Sequence, residues 1–206
     1  MADRIISVGG EGEIVEKKSR FIATIRPVHS EEEALAFIQE MKKKYWDARH
    51  NCSAYIIGKE QSLSRCSDDG EPSQTAGRPM LDVLEGRGLY DVAVVVTRYF
   101  GGVLLGTGGL VRAYQGAVQA GLEECIIKEA KEGYKLRLTV DYTSYGQMEY
   151  IMREEALFIE DSEFLDKVKM TVLVPVEKRE VLAEKITEAT SGLGDMEWGD
   201  LTVYFE

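Results

Sequence analysis

Between Val92 and Tyr114 the chain reads VAVVVTRYFGGVLLGTGGLVRAY. An apolar run meets Arg98, Tyr99 and Phe100, and then a loop holding Gly101, Gly102, Gly106, Gly108 and Gly109. Glycines leave backbone N–H groups uncovered, and a helical pattern follows, whose N-terminus carries partial positive charge. That arrangement suits an anion such as phosphate or carboxylate. Arg98 follows directly on the strand and Arg112 lies one turn into the helix. Converging on the loop, they would offer forked donors to an anionic group; paired with Asp91 or Glu85, they would be surface ion pairs. Tyr99 and Phe100 offer faces on which a base can stack, although aromatics beside a core strand more often belong to the core. Named nucleotide motifs fail. Gly101 to Gly106 followed by Thr107 has Walker A spacing without its Lys, and position 111 is Val where a dinucleotide fingerprint needs Gly. The glycines serve a tight strand-to-helix turn equally well.

A second cluster lies upstream. Asp68, Asp69 and Glu71, interrupted by Gly70 and closed by Pro72, place three carboxylates within four residues. Oxygen ligands at that density could hold Mg²⁺ or Ca²⁺, but the spacing falls short of an EF-hand loop. Two other readings stand: a water-exposed Asx-type turn, or pairing with Arg98 or Arg112 that orders this loop against the glycine loop. His50 and Cys52 would share a face of a strand, yet no third group orients them as a nucleophile pair. No Gly-x-Ser-x-Gly elbow and no His-x-x-x-His helix is present, so no catalytic residue, metal site or cofactor is assigned.

The elements that must position these residues follow from periodicity. Glu13 to Val28 is a strand-like run. Ser30, with Glu33 three residues on, opens a helix with the apolar stripe Ala34, Phe37, Ile38, Met41 and Tyr45. Cys52, Ala54 and Ile56 alternate along another strand. Ser64 to Pro79 is polar with almost nothing to bury, a long loop of the kind that carries function, and Met80 to Leu84 is a short helix beneath it. Val92 to Val96 has β-branched residues on both faces and reads as a central strand covered on both sides. Val111, Tyr114, Val118, Leu122 and Cys125 form the stripe of a long helix that ends in the charged segment Lys128 to Gly133, taken as the domain boundary. Beyond it come a strand (Tyr134–Asp141), a helix capped by Ser144 with Gln147, a hairpin (Leu157–Phe164 with Val168–Val174), a helix (Glu177–Ala189) and a strand alternating Leu201, Val203 and Phe205. This βαββαβ order is the split-βαβ, ferredoxin-like arrangement.

Composition sets the outer limits. At 206 residues and 44% hydrophobic content the chain can bury a sizeable core and is too apolar for disorder. No long uncharged apolar run spans a membrane, and the N-terminus lacks a signal-peptide core. Three cysteines without Cys-x-x-Cys pairing fit a reducing compartment, so a cytoplasmic location is expected. The net charge of −11 divides into −3 over residues 1–130 and −8 over 131–206. Bulk attraction to nucleic acid is therefore excluded, while the N-terminal part can still present a local basic patch.

Ser67–Leu81 (SDDGEPSQTAGRPML) and Val94–Tyr114 together resemble the signature of the YigZ/IMPACT family, through Asp-Gly-Glu-Pro, Ala-Gly-Arg-Pro with Arg78, Arg-Tyr-Phe-Gly-Gly and Leu-Gly-Thr-Gly-Gly-Leu; Ala48–Cys52 resembles the family's strand entry. The resemblance spans the chain. It implies an α+β protein of two domains: 1–132 an IMPACT-type domain with the fold of ribosomal protein S-five domain 2, and 133–206 a ferredoxin-like domain similar to domain V of elongation factor G. Eukaryotic members regulate translation and carry an extra partner-binding domain; the resemblance supplies no catalytic residue. The expectation is a non-enzymatic, translation-associated factor. It would bind RNA, the ribosome or a protein partner through Arg98, Tyr99, the glycine loop, Thr107 and Arg112, flanked by Asp68, Asp69, Glu71 and Arg78. The alternative is an enzyme or small-ligand binder holding a phosphorylated compound at the glycine loop, with a metal on the acidic loop.

Overall fold

The structure is a computed structural model describing residues 3–59 and 63–205. The chain divides into two compact units, one ending at Glu129 and the other beginning at Ala130. Among the described residues no helix is long and apolar enough to cross a membrane.

The first unit is built on a five-stranded antiparallel sheet. Its strands are β2 (Gly10–Glu16), β3 (Ser19–Pro27), β4 (His50–Ile57), β5 (Leu63–Ser67) and β7 (Val92–Tyr99), in the order β2-β3-β7-β4-β5. β7 is central and buried at every position but Tyr99, because helices cover both faces. On one face α1 (Glu31–Lys44) lays Phe37 and Met41 against Tyr55, Ala93 and Val95. On the other, α2 (Gly77–Gly86) and α3 (Thr107–Glu123) lay Leu84, Tyr114 and Val118 against Phe21, Cys52, Val94 and Val96. The short β1 (Arg4–Val8) pairs in parallel with β6 (Leu89–Tyr90) and antiparallel with Ile126–Glu129.

Several elements differ from their sequence reading. Glu13–Val28 is not one strand but the hairpin of β2 and β3, folded at Lys17 and Lys18, both with positive φ (46° and 66°). Two-residue hairpins of this hand usually carry Asn-Gly or Gly, so two lysines give no turn signal. The polar stretch Ser64–Pro79 is not all loop: it holds most of the edge strand β5 and the start of α2. The α1 stripe is buried at Ala34, Phe37, Ile38 and Met41, with Tyr45 at the helix C-cap. Ser30 Oγ accepts the Glu33 N–H at 3.2 Å, and the Glu33 carboxylate reaches back to the His29 N–H at 2.8 Å. In α3 the stripe is centred on Leu110, Ala113, Tyr114, Ala117 and Val118, leaving Val111 half-buried at its margin and Cys125 beyond the helix.

The second unit runs from within β8 (Ile126–Val140) through α4 (Tyr142–Glu154), β9 (Ile159–Phe164), β10 (Val168–Pro175), α5 (Arg179–Ala189) and β11 (Asp195–Phe205). All its strand pairs are antiparallel in the order β11-β8-β10-β9, the ferredoxin-like arrangement. Leu136, Leu138, Met148, Met170, Leu182 and Ile186 fill its core. The charged segment Lys128–Gly133, taken as the domain boundary at the end of the long helix, is part of β8, since α3 ends at Glu123, and the division between the units falls within it. Asp141, not Ser144, is the N-cap of α4. A register shift between Trp198 and Leu201 turns β11, so Met196 and Trp198 pack on the core while Leu201 and Val203 are exposed.

Candidate functional site

The residues of the two sequence clusters meet in the first unit, at the end of β7 and the start of α3. There a cleft of about 370 Å³ opens. Arg49, His50 and Arg98 line it from the ends of β4 and β7; Gly70, Glu71 and Pro72 line it from the acidic loop; and Phe100, Leu104, Leu105, Gly106, Thr107 and Leu110 line it from the glycine loop and α3. Strand register explains the first group, because His50 is the cross-strand neighbour of Arg98.

At the base of the cleft Glu71 Oε1 accepts from Arg98 Nη1 at 2.6 Å and from the Tyr114 hydroxyl at 2.9 Å. The Arg98 and Glu71 side chains are only 7% and 3% exposed. The guanidinium lies 5.3 Å from the Phe21 ring and 5.6 Å from the Phe100 ring. Burial, then the neighbouring Cys52 and Glu71, pushes the Tyr114 hydroxyl far above the ordinary tyrosine range, so it stays protonated and donates to Glu71. One acidic residue thus ties the acidic loop to the central strand and to α3, which is the ordering contact left open by the sequence.

The other two carboxylates go elsewhere. Asp68 accepts from the N–H groups of Gln74, Ala76 and Gly77 at 2.8, 3.0 and 2.8 Å, holding the start of α2 as a capping anion. Asp69 takes Lys42 Nζ at 2.6 Å and the Asn51 N–H at 2.7 Å. Burial alone would raise its pKa, but these hydrogen bonds outweigh it and hold the carboxyl below the usual range. The three carboxylates diverge, and among the described residues no group of three potential ligands converges on a metal position. The metal reading of this loop is therefore not carried by its geometry. Neither is the His50–Cys52 nucleophile: Cys52 is fully buried, burial drives its thiol pKa far up, and its sulfur lies 3.0 Å from the Asp68 carbonyl. His50 Nδ1 donates instead to the Asp69 carbonyl at 2.9 Å.

The glycine loop has a divided role. Gly101 packs on the β2–β3 turn so closely that a Cβ would sit 2.0 Å from Lys18 C, and its N–H donates to Ser19 Oγ at 3.1 Å. Gly106 is the N-cap of α3 with φ 72°, a conformation that favours glycine, and no side chain caps this end. Gly102, Thr107 and Gly108 are exposed and Gly109 is half-buried, so the first turn of α3 faces solvent. Arg112 is exposed on the next turn and forms no ion pair among the described residues; it does not converge with Arg98, which is committed to Glu71. Tyr99 and Phe100 are not core: Tyr99 donates to Asp47 at 2.9 Å outside the cleft, and Phe100 is 43% exposed within it. Arg78 is on α2, paired with Asp82 and Glu85, and does not line the cleft.

Comparison with known proteins follows this geometry. Residues 17–122 match the Impact N-terminal domain, and residues 138–193 match a domain of unknown function (DUF1949). The chain is 43% identical to the IMPACT family member YvyE of Bacillus subtilis, over 96% of this chain and 91% of that one. It belongs to the IMPACT family. YigZ of Escherichia coli, another family member, is 35% identical over 90% of this chain and 88% of its own. A solved structure described as that of a hypothetical protein is 32% identical, with a TM-score of 0.59, over 95% of this chain and 97% of that one. The whole cleft falls inside the Impact N-terminal match.

Sequence reasoning did not place Arg49, Leu104, Leu105 or Leu110 in the site. Arg49 is far from the glycine loop in sequence and is brought there only by the pairing of β4 with β7. The signal available for the leucines was a pair of large apolar residues inside a glycine loop, one of which, Leu104, is 83% exposed.

Proposed function

We propose that this IMPACT family protein is a translation-associated factor that binds RNA at the cleft between the acidic loop and the start of α3. The observation that carries the reading is one combination. Exposed apolar faces, Phe100 and Leu104, lie beside an uncapped helix N-terminus and an exposed Arg49 that makes no ion pair among the described residues. Stacking faces beside phosphate donors are what a single-stranded segment requires, and they work without bulk positive charge. Arg112 on the next turn, and Lys17 and Lys18 in the turn that packs on Gly101, are exposed and add positive charge outside the cleft lining. Family membership supports the translation context.

Fluorescence anisotropy with a labelled single-stranded RNA, repeated across salt concentrations, tests this. Arg98 is unsuitable as a probe because removing it strands Glu71; Arg49→Ala with Arg112→Ala is the appropriate variant. Loss of two phosphate contacts should flatten the slope of log K against log[salt] by about 1.4. Affinity that neither falls with salt nor changes in the double variant would sink the proposal.

A further inference from the structure

Arg98 offers the cleft more than its pairing with Glu71 uses. Its Nη1 is taken by Glu71, but its Nε is buried and hydrogen-bonds to no atom among the described residues. The residue as a whole is only 6% exposed, and it lines the cleft. A buried guanidinium N–H without an acceptor is an uncommon arrangement, and a small shift of the side chain would let a ligand in the cleft supply one. The same cleft is lined by Gly106 and Thr107 at the start of α3, a helix of 17 residues whose N-cap is a glycine without a capping side chain. Two independent observations therefore address one space: a buried, unsatisfied cationic donor and an uncapped helix N-terminus. Glu71 does not forbid an anion there, since its charge is matched by Arg98 and its oxygen is occupied by Tyr114. Arg49 adds a further positive charge at the mouth. The wall formed by Phe100, Leu104 and Leu110 is apolar.

We infer that the cleft is a phosphate subsite for one nucleotide, with the phosphate between Arg98 Nε and the Thr107–Gly109 amides and the base against Phe100. The volume of about 370 Å³ is at the small end of ligand pockets, which fits a single nucleotide rather than a longer segment. The nucleotide part rests on the RNA reading; the phosphate part rests on the two donors alone. The phosphate has two possible sources, a free nucleoside monophosphate or a nucleotide of an RNA strand.

The test is ¹⁵N NMR of the full chain, following the amides of Thr107, Gly108 and Gly109 and the Nε–H of Arg98 as inorganic phosphate, adenosine monophosphate or adenosine is added. Saturable shifts of these four resonances are expected, strongest with the monophosphate, weaker with phosphate and absent with adenosine. Gly108→Asp is the discriminating variant. The position has room for a side chain, its nearest neighbour being Arg112 Nη1 at 3.6 Å, and a carboxylate in the first turn favours the helix. The fold should hold while monophosphate affinity falls at least tenfold. No shift at Arg98 Nε, an unchanged affinity in Gly108→Asp, or equal binding of adenosine and its monophosphate overturns the inference. A 5′-phosphorylated oligonucleotide that binds more tightly than the monophosphate assigns the phosphate to RNA; weaker binding assigns it to free nucleotide; either supports the subsite. Anisotropy on the same samples separates the two proposals. Salt-dependent RNA binding without these shifts removes only the subsite, and monophosphate binding without RNA binding removes only the RNA reading.

Discussion

Glu71 holds three parts of the first unit at one oxygen, and the cost of disturbing it follows from its burial. Removing one partner of a buried pair leaves a charge without compensation, so Glu71→Ala and Arg98→Ala should each lose about 3–5 kcal/mol by urea denaturation, whereas replacing both by Leu and Met should recover much of that. Single variants as stable as the wild type would show the pair to be incidental. Asp69 makes a pH-dependent contribution. Its carboxyl is held below the unfolded value of about 3.9, so its stabilisation is complete above that pH and is lost as pH falls through the folded value. The stability difference between wild type and Lys42→Met should therefore be largest above about pH 5 and shrink below pH 4. A difference constant with pH would contradict this role. Cys52 should stay silent toward a thiol reagent in the folded protein while the exposed Cys66 reacts. At this scale the sequence was only partly legible: the residue types of the site stood out, but which carboxylate met which arginine depended on strand register.

Helix ends were legible wherever a side chain made the cap. Ser30 with Glu33 marked α1 directly, and Ser30→Ala should cost about 1 kcal/mol in thermal or urea unfolding. The start of α3 is set by backbone instead. Gly106→Ala forces a Cβ into a positive-φ, extended-ψ conformation that essentially only glycine adopts and should cost about 1–3 kcal/mol while leaving the cleft residues in place. No loss in Gly106→Ala would mean that this turn relaxes freely. Two elements escaped the sequence reading for one reason, missing punctuation. The β2–β3 turn is made by lysines rather than Asn-Gly, and β5 is an edge strand of polar residues whose hydrogen bonds to β4 impose its shape. The α3 stripe was shifted because its small residues, Ala113 and Ala117, face the sheet and carry little periodic signal.

The two units have separate cores. The second buries Leu136, Met148, Met170 and Leu182 among its own elements, so residues 130–206 expressed alone should unfold in a single sigmoidal transition by circular dichroism. A gradual, non-cooperative melt would show that this core needs the first unit. The ferredoxin-like order was readable because four strands and two helices alternate with clear periodicity, whereas the division itself falls inside a continuous strand, within the charged segment Lys128–Gly133. The placement of charge along β2 has a consequence for behaviour in concentrated solution. Among the described residues β2 and β5 are the outer strands of the five-stranded sheet; β2 carries Glu11, Glu13 and Glu16, and β5 is five residues long with Arg65 at its middle. An outer strand of that kind is a poor template for a second copy of the sheet. Colloidal stability at high concentration, and resistance to fibril growth from the native state, are then owed to where three glutamates lie as well as to the net charge of −11.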